Sequence, residues 1–510
     1  MPKTQAGKIA VVVGAVLFIL FAFLLICNRA MLVADNHDEH QFMASGYLLA
    51  TRGLLPYRDY AYFHMPNLVF VYALIDRLTG FRLLYTRLFS VAFGTLTLAL
   101  LSAGTYLFFA KRNPVVRAGA ALLAGLFLLA NPLFAGTSGL AWNHDVPVFL
   151  ALLAALVFLW SRASARPFLL VALSGGLLGL AIGTRSSFAT LIPAFLLTLV
   201  CHPQVKSRRT FWSALLAFGA GGLLAMLPAL VLFFLAPGSF VFGNIGYAGL
   251  NTLYRQGSGY TDGMNKLSFL GDVFSQTSNL LLLAAFVIFL VLPAWLAYRR
   301  NHAWEFGTTF FALLPVCAFT GSLLPSPSFP QYFYAPVPMI ILGVSYAISR
   351  LEVESGPANN LFLQFFTALL LLSSLLGLGD IGVLRNTFDA QNLWFPFTVH
   401  WQAEKLSAKL ASGKILTLAP FYAIEAGKQI YPEFATGPFA FRVADLLSEA
   451  DRRQYKMVAP ADLETYLQAD PPAGILAGRD PDIEAPLIQY ASDHGYRLVN
   501  FPGVYKLWVR

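Results

Sequence analysis

The sequence predicts an all-α, multi-pass membrane protein with about eleven transmembrane helices, followed by a small soluble α/β domain. Three observations support this fold class. Only 12% of the 510 residues are charged and 57% are hydrophobic, whereas soluble domains contain roughly 25% charged residues. Apolar stretches long enough to cross a hydrocarbon core of ~30 Å recur along most of the chain. Beyond residue 380 they give way to short strand-like and amphipathic segments.

The apolar stretches place the membrane domain in residues 1–379. The first stretch, residues 9–27, follows Lys8 and resembles a cleavable signal peptide. No A-x-A site comes after it, so we expect an uncleaved first span. The other predicted spans are residues 85–110, 118–134, 146–161, 167–183, 187–201, 210–235, 278–297, 305–323, 334–349 and 361–379.

The basic residues predict the orientation of the chain. If the N-terminus is cytoplasmic, every loop on the cytoplasmic side is basic, as the positive-inside rule requires. These loops contain Lys111, Arg112 and Arg117; Arg162 and Arg166; Lys206, Arg208 and Arg209; Arg299 and Arg300; and Arg350. Residues 380–510 hold 13 basic and 15 acidic side chains, which leaves 22 basic and 11 acidic ones in residues 1–379, so the basic excess of the chain lies in the membrane domain. The charge therefore indicates topology, and we expect no nucleic-acid partner.

This orientation leaves three sizeable segments outside the cytoplasm, namely residues 28–84, 236–277 and 380–510. Within the first, residues 41–53 and 66–80 are too short or too charged to span comfortably. We expect them to form interfacial helices in the outer loop 28–84.

The segment from residue 380 to 510 predicts a small α/β domain outside the cytoplasm. Its predicted strands are residues 414–420, 472–479, 496–501 and 503–510, and its predicted amphipathic helices are residues 444–455 and 484–495. Few polar groups are concentrated in it. A lid, an acceptor-docking module and a packing element all remain open as its role.

Ionisable side chains are densest directly after the first span, at Asp35, His37, Asp38, Glu39 and His40. Such a cluster is costly beside apolar lipid unless it is solvated or used. A wet external loop with ordinary interface charges is the alternative explanation, and the cluster alone does not exclude it.

Several motifs resemble the GT-C superfamily, integral-membrane glycosyltransferases that use lipid-linked sugars. The motifs are HDEHQF at residues 37–42, GLLPYRD at 53–59, HMP at 64–66, NHD at 143–145, GLAIGTR ending at Arg185, and QYFYAPVP at 331–338. The pattern is similar to bacterial enzymes of the protein O-mannosyltransferase and lipid A aminoarabinose transferase type. The chain departs from it in two places, because H-x-P replaces K-P-P and Arg185 stands where many relatives have Lys.

The resemblance implies candidate catalytic residues. In that family an Asp-Glu pair opens the first outer loop and the Asp lies at the active site, which here corresponds to Asp38 and Glu39. Asp38 is the candidate general base for an acceptor hydroxyl. Asp145, at the outer end of the fourth span, is the second candidate carboxylate, and a helix N-cap is its alternative role.

Arg185 is the main candidate for binding the donor phosphate. It lies between two apolar runs with hardly any loop, where an unpaired charge would cost ~3 kcal/mol at mid-membrane. A lipid phosphate would offset that cost, and snorkelling to the headgroups is the alternative. Arg58, Arg255 and His64 are weaker phosphate candidates, since interfacial arginines are common and a lone His before a Pro is often structural.

Tyr57, Gln331 and Tyr332 are expected to line the substrate site, although interfacial aromatic residues also form membrane belts. A divalent metal ion is a candidate cofactor, and Glu39 and His64 are its candidate ligands beside Asp35 and His37. No H-x-x-x-H or C-x-x-C spacing fixes a metal site.

The predicted function is transfer of a sugar from a polyprenyl phosphate donor to a glycan, lipid or protein acceptor outside the bacterial inner membrane. Membrane lipids are the other expected partners. A transporter or lipid flippase is the alternative, although transporters place ionisable residues at the bilayer midplane of two matching halves, and here most charges lie in outer loops. A non-catalytic scaffold is a third possibility.

Overall fold

The computed structural model describes residues 5–300, 305–351, 357–410 and 412–510. A bundle of helices leads into a smaller domain built on a sheet. The helices of the first part are α1 (Gln5–Leu32), α2 (His37–Arg52), α3 (Asn67–Leu78), α4 (Arg82–Phe108), α5 (Pro114–Ala130), α6 (Pro132–Ala135), α7 (Asp145–Ser161), α8 (Pro167–Thr184), α9 (Ile192–Leu199), α10 (Arg208–Ala225), α11 (Leu227–Leu235), α12 (Pro237–Val241), α13 (Tyr247–Gly257), α14 (Lys266–Ser275), α15 (Thr277–Phe286), α16 (Leu292–Arg299), α17 (Phe306–Leu323), α18 (Pro336–Arg350) and α19 (Pro357–Gly377).

The predicted spans correspond to apolar helices, but the predicted count of eleven is not confirmed. Within the described ranges, seven helices are long and apolar enough to cross a membrane. An eighth is added if α10 and α11, which meet at a bend of 61°, form one span. Three further apolar helices are shorter: Pro114–Ala130, Asp145–Ser161 and Ser186–Leu199.

The helix pair α8 and α10 shows how small residues bring spans together. A Cβ atom on Gly175 would lie 2.1 Å from the Phe218 carbonyl oxygen, and one on Gly221 would lie 1.9 Å from that of Ala172. Only glycine permits such a close approach of two helix backbones. The buried residues of α10 are Ala214 and Phe218. We infer that the close backbone contact with α8 holds α10 against the bundle.

The two ends of the bundle differ in what they carry. We call the end with α2, α3 and the sheet domain the domain end, and the opposite end the loop end. At the loop end Arg162 Nη1 donates to Tyr346 Oη at 2.9 Å, and Gln204 Nε2 donates to the Arg162 carbonyl at 3.1 Å. The Arg112 guanidinium donates to the Leu351 carbonyl there. The predicted cytoplasmic loops therefore meet at one end.

Both short helices predicted in residues 28–84 are present, as α2 and α3. Residues 39–48 of α2 are all buried, with α3 on one side and the sheet domain on another. Gly46 allows the close approach, because a Cβ atom on it would lie 2.7 Å from Tyr72 Cβ. The position of these helices at a membrane interface stays a prediction.

The C-terminal part contains a five-stranded mixed sheet in the order β2-β1-β3-β5-β4. Strand β1 pairs in parallel with β2 and β3, and β5 pairs antiparallel with β3 and β4. Each of the four predicted strands is present, whereas β2 was not predicted. The elements are α20 (Ala390–Leu393), α21 (Phe395–Lys409), β1 (Lys414–Thr417), α22 (Pro420–Glu425), β2 (Gln429–Ile430), α23 (Pro438–Phe441), α24 (Glu449–Tyr455), α25 (Leu463–Gln468), β3 (Gly474–Ala477), α26 (Pro481–Asp493), β4 (Arg497–Val499) and β5 (Lys506–Val509).

The sheet domain docks on the bundle through polar contacts as well as apolar ones. Glu425, at the end of α22, accepts the backbone N–H groups of Arg82 and Leu83 at 2.9 and 3.2 Å. These are free donors at the start of α4, where a carboxylate is also favoured by the helix dipole. His400 Nδ1 lies 2.9 Å from the other oxygen of Glu425. The domain thus caps a helix of the bundle.

Candidate active site

A polar cavity of about 420 Å³ lies at the domain end, between the start of α2, helix α13, the segment before α18 and the sheet domain. Its lining includes Asn36, His37, Asp38, Gln41, His64, Tyr247, Asn251, Arg255, Phe329, Gln331, Tyr332, Phe439, Arg442 and Arg479. A larger groove of about 710 Å³ between α5 and α19 is lined almost wholly by apolar side chains. The ionisable side chains concentrate in the polar cavity.

Asp38 presents a free carboxylate to this cavity. Asn36 caps α2 by accepting the Asp38 backbone N–H at 3.0 Å, which places Asp38 in the first turn. No hydrogen bond or ion pair joins its side chain to any residue that the structure describes. Burial raises the pKa of Asp38 above its usual value, although the nearby Arg442, Arg185 and Arg255 lower it. A carboxylate with no protein partner and a raised pKa is suited to accept a proton.

The Glu39 side chain points away from the cavity, and its carboxylate is bound by groups inside the protein. It forms a two-pronged ion pair with Arg87, at 2.9 Å from Nε and 2.6 Å from Nη2, and both side chains are fully buried. The same carboxylate accepts the Ala141 backbone N–H at 2.7 Å. Arg87 also donates to the carbonyls of Ala30 and Val33 at the end of α1. Glu39, predicted as catalytic, therefore joins α2 to α1 and α4.

Asp145 begins α7 and is also buried away from the cavity. One carboxylate oxygen accepts from the Ser138 hydroxyl and the other from the Gly139 backbone N–H, each at 2.8 Å. The side chain thus fixes the turn that leads into α7. Asp145, predicted as the second catalytic carboxylate, does not line the cavity.

Arg185 follows α8 and has no carboxylate partner; it lines a small pocket of about 20 Å³ that shares Tyr332 with the polar cavity. Its guanidinium donates to Asn143 Oδ1 at 3.1 Å and to the Ser187 hydroxyl at 3.2 Å, and one nitrogen lies 3.0 Å from His144 Nε2. Its central carbon lies 4.8 Å from the centre of the Tyr332 ring. The groups that bind the Arg185 guanidinium are neutral and do not compensate its positive charge. Asp38 is the carboxylate whose charge acts on it.

Two further arginines line the cavity, and each lies among aromatic rings. Arg255, at the end of α13, lies 4.4 Å from the centre of the Tyr260 ring. Arg442, from the sheet domain, lies 4.7 Å from the centre of the Phe439 ring and donates to Asn251 Oδ1 at 2.6 Å. Neither has an ion pair with a carboxylate in the described part of the chain.

His64, Gln331 and Tyr332 all lie in the cavity wall, where the sequence motifs predicted site residues. His64 stacks on Phe42 with ring centres 4.9 Å apart, and its Nδ1 lies 3.4 Å from Asn143 Nδ2. Burial lowers the pKa of His64 to about 3, and Arg185 acts in the same direction. His64 is therefore a neutral imidazole at physiological pH.

Two predicted site residues lie outside the cavity. Arg58 is solvent-exposed and pairs with its neighbour Asp59 at 2.7 Å. Tyr57 is buried, and its hydroxyl donates to the His64 carbonyl. Tyr57 thus supports the loop that carries His64, and it does not line the cavity.

The turn before α2 is clamped by the sheet domain. Arg479 forms an ion pair with the Asp35 carboxylate and donates to the Asp35 carbonyl at 2.9 Å. Tyr505 Oη donates to the same carboxylate at 2.6 Å, and His40 Nε2 lies 3.1 Å from it. Burial raises the pKa of Asp35, but these partners outweigh it and hold the pKa well below its usual value.

The candidate metal ligands do not form a metal site. Asp35 is engaged by the sheet domain and Glu39 by Arg87. Among the residues described, no group of three His, Cys, Asp or Glu side chains is arranged to hold a metal ion. The residues present do not fit a resident metal.

Sequence reasoning missed the cavity residues that the sheet domain supplies and, apart from Arg255, those that α13 supplies. Arg442, Arg479, Tyr247 and Asn251 carry no motif, and Arg442 and Asn251 are 191 positions apart in the chain. The cavity contains more arginines than carboxylates only when the sheet domain is packed against the bundle.

No family model and no curated protein sequence matches the chain. Among solved structures it is similar to ArnT from Cupriavidus metallidurans bound to undecaprenyl phosphate, with a TM-score of 0.60 and 14% identity over 99% of this chain and 98% of that one. The apo state of ArnT gives a TM-score of 0.56 and 13% identity over 98% of both chains.

The oligosaccharyltransferase from Archaeoglobus fulgidus, tethered with an acceptor peptide, has a TM-score of 0.50 and 13% identity over 92% of this chain and 69% of that one. The TM-scores and the coverage establish a shared fold, and both neighbours belong to the GT-C superfamily. The chain is therefore a multi-pass membrane protein with the fold of the GT-C superfamily, as its sequence motifs predicted.

Proposed function

We propose that the polar cavity is the active site of a glycosyltransferase that moves a sugar from a polyprenyl phosphate to an acceptor hydroxyl. One observation carries the proposal. The unpaired carboxylate of Asp38 faces Arg185, Arg255 and Arg442, which have no ion pair with a carboxylate among the described residues. A single base beside uncompensated cations fits a reaction that takes up one proton and releases a phosphate.

The proposed step is one displacement. Asp38 takes the proton of the acceptor hydroxyl as its oxygen attacks the anomeric carbon of the sugar. The bond between that carbon and the phosphate oxygen breaks, and its electron pair leaves on the prenyl phosphate. The phosphate gains negative charge, which the fixed guanidinium groups stabilise. Attack from the side opposite the phosphate inverts the anomeric configuration.

We assign the lipid phosphate to Arg185. This arginine lies directly after the apolar helix α8, so a phosphate bound to it stays close to the membrane that holds its prenyl tail. Tyr332 and His64 border the same region, and His64 is neutral and can donate or accept a hydrogen bond. Arg58, which is exposed and paired with Asp59, has no place in this subsite.

The fold supports the donor class by analogy. ArnT, which shares the fold over nearly the whole chain, was crystallised with undecaprenyl phosphate bound. We carry only that class to this chain, because identities of 14% do not transfer a sugar or an acceptor.

Glu39 and Asp145 act as positioning residues in this proposal. Glu39 fixes the first turns of α2 against α1 and α4, and Asp145 fixes the turn before α7. The sheet domain acts in the same way through Arg479, which holds the turn three residues before Asp38. We therefore propose that residues 1–379 form the catalytic membrane domain and that residues 380–510 complete its site.

We place the domain end outside the cytoplasm of a bacterial inner membrane, with the N-terminus inside. The support is the positive-inside rule, since the basic residues of the predicted cytoplasmic loops meet at the loop end. A polyprenyl donor then meets its acceptor on the outer side.

The test uses purified protein in nanodiscs, a set of undecaprenyl phosphate sugars, and a panel of glycan, lipid and protein acceptors with free hydroxyl groups. The matching nucleotide sugars serve as controls. We expect consumption of at least one lipid-linked sugar and release of undecaprenyl phosphate, and no consumption of nucleotide sugars. Consumption of a nucleotide sugar alone would refute the donor class.

A further inference from the structure

Three hydrogen-bond donors meet without partners at the side of the cavity nearest the sheet domain. They are Arg255 Nε and Arg442 Nε, each buried and without an acceptor, and Tyr247 Oη, which lies against Arg442 without a hydrogen bond of good geometry. The Tyr247 hydroxyl faces both guanidinium groups. Buried donors without partners are costly, so their convergence at one place indicates a missing acceptor group.

The charges at this place point to an anionic group. Arg255 and Arg442 are close enough to repel each other, and aromatic rings surround both. Asn251 accepts one hydrogen bond from Arg442 but supplies no charge. Two adjacent cations with no carboxylate between them favour a phosphate or carboxylate ligand.

This place is separate from Arg185. The hydrogen bonds of Arg185 go to Asn143, Ser187 and His144, on the bundle side of the cavity. Arg442 acts electrostatically on Arg255, whereas the groups that act on Arg185 are Tyr332 and Asp38. Asp38 faces all three arginines and so lies between two cationic regions.

The charge count leaves room for a second anion. Arg479 and Asp35 also line the cavity, and their charges cancel in an ion pair. The remaining groups are Arg255 and Arg442, the ionised Asp38 and the adjoining Arg185, which together carry a net charge of +2. The phosphodiester of a prenyl phosphate sugar carries one negative charge, which leaves +1. One more singly charged group would neutralise the filled site.

We propose that Arg255, Arg442 and Tyr247 form a second anion subsite, which binds a phosphate or carboxylate on the acceptor while the lipid phosphate lies at Arg185. Among the cations near Asp38, Arg442 has the largest influence on it, so the subsite adjoins the base that deprotonates the acceptor. Arg442 also belongs to the sheet domain, which gives that domain a direct part in acceptor selection. This inference rests on the proposed function.

The test measures undecaprenyl phosphate and inorganic phosphate binding to the full chain in nanodiscs. We expect both to bind at once, with saturating phosphate weakening undecaprenyl phosphate binding less than about tenfold. Arg442→Gln should weaken phosphate binding at least tenfold and undecaprenyl phosphate binding less than threefold. Arg185→Gln should show the reverse. Arg58→Gln, a matched change at an exposed arginine, should alter neither.

The outcomes separate this inference from the proposed function. If phosphate displaces undecaprenyl phosphate competitively and Arg442→Gln weakens both, the cavity binds one anion and the second subsite is refuted. The proposed function would stand in that case. If undecaprenyl phosphate does not bind at all, the proposed function itself fails.

A second comparison distinguishes the acceptor from the sugar as the source of the anion. Glycerol 3-phosphate should bind in the presence of undecaprenyl phosphate, and Arg442→Gln should remove that binding. If undecaprenyl phosphate glucuronic acid instead binds at least tenfold more tightly than undecaprenyl phosphate glucose, and Arg442→Gln removes the difference, the anion belongs to the sugar. That result would overturn the acceptor assignment.

Discussion

Replacing Asp38 by Asn tests the proposed general base with little change in shape. The variant keeps the size of the side chain and removes its ability to accept a proton. A positioned base contributes ~10²- to 10⁴-fold to turnover, or ~2.7–5.5 kcal/mol of activation free energy. We therefore expect the turnover number of Asp38→Asn to fall by that factor in a purified assay with a lipid-linked donor.

The Asp38→Asn variant should not lose donor binding or stability, in contrast to its loss of turnover. Asp38 faces the same arginines that attract the phosphate, so removing its charge should leave undecaprenyl phosphate binding equal or tighter. Burial raises the pKa of Asp38, which means that the folded state disfavours the ionised form. The melting temperature of Asp38→Asn should therefore be unchanged or higher.

The pH profile gives an independent readout of the same residue. Only ionised Asp38 can accept a proton, so wild-type turnover should fall as the pH drops through its raised pKa. The midpoint of this acidic limb should lie above the ordinary aspartate value of 3.8. Asp38→Asn should lose the limb and keep a low, flat residual rate.

Two matched variants serve as controls. Glu39→Gln leaves Arg87 buried without its counter-charge, which should cost ~3–5 kcal/mol of folding free energy and lower the melting temperature. Asp145→Asn should lower stability modestly and keep turnover within a few-fold per folded molecule. Near-normal turnover in Asp38→Asn, with either control folded but inactive, would refute the assignment of the base to Asp38.

Three further predictions concern the donor, the sheet domain and the topology. Arg185→Gln should weaken undecaprenyl phosphate binding ~10- to 100-fold, since hydrogen bonds between charged groups contribute ~1.5–3 kcal/mol; unchanged binding would move the lipid phosphate elsewhere. Arg479→Gln should lower the turnover number about tenfold and leave undecaprenyl phosphate affinity unchanged, and Arg479→Lys should restore part of the turnover. Because Arg479 and Tyr505 both hold Asp35, the effects of Arg479→Gln and Tyr505→Phe should not add in the double variant. A loss of affinity equal to the loss of turnover would exclude a positioning role. A reporter fused after Arg510 should be active only outside the cytoplasm, and cytoplasmic activity would reverse the orientation.

Local patterns account for what the sequence could predict. Long apolar runs marked the helices of the bundle, and short apolar or β-prone segments marked β1, β3, β4 and β5, because both patterns lie within one element. The span count was less certain, because helices such as α7 fall short of the length that a full crossing needs.

The partners of single carboxylates could not be predicted, because they lie far away in the chain. Adjacent residues point in different directions, so Asp38 and Glu39 were not expected to share one position. Nothing in the sequence indicates that Glu39 pairs with Arg87, 48 positions away. Arg442 lies in a domain whose sequence shows no concentration of polar groups, and it joins the cavity only through docking. The function of the Arg442 charge therefore depends on the groups that surround it in the folded protein.

A cryo-electron microscopy structure in nanodiscs with undecaprenyl phosphate tests the central claim most directly. We expect the phosphate within hydrogen-bonding distance of the Arg185 guanidinium, the prenyl tail between membrane-spanning helices, and the Asp38 carboxylate facing the space next to the phosphate. A phosphate bound away from this cavity, or a lipid in the groove between α5 and α19 alone, would contradict the account.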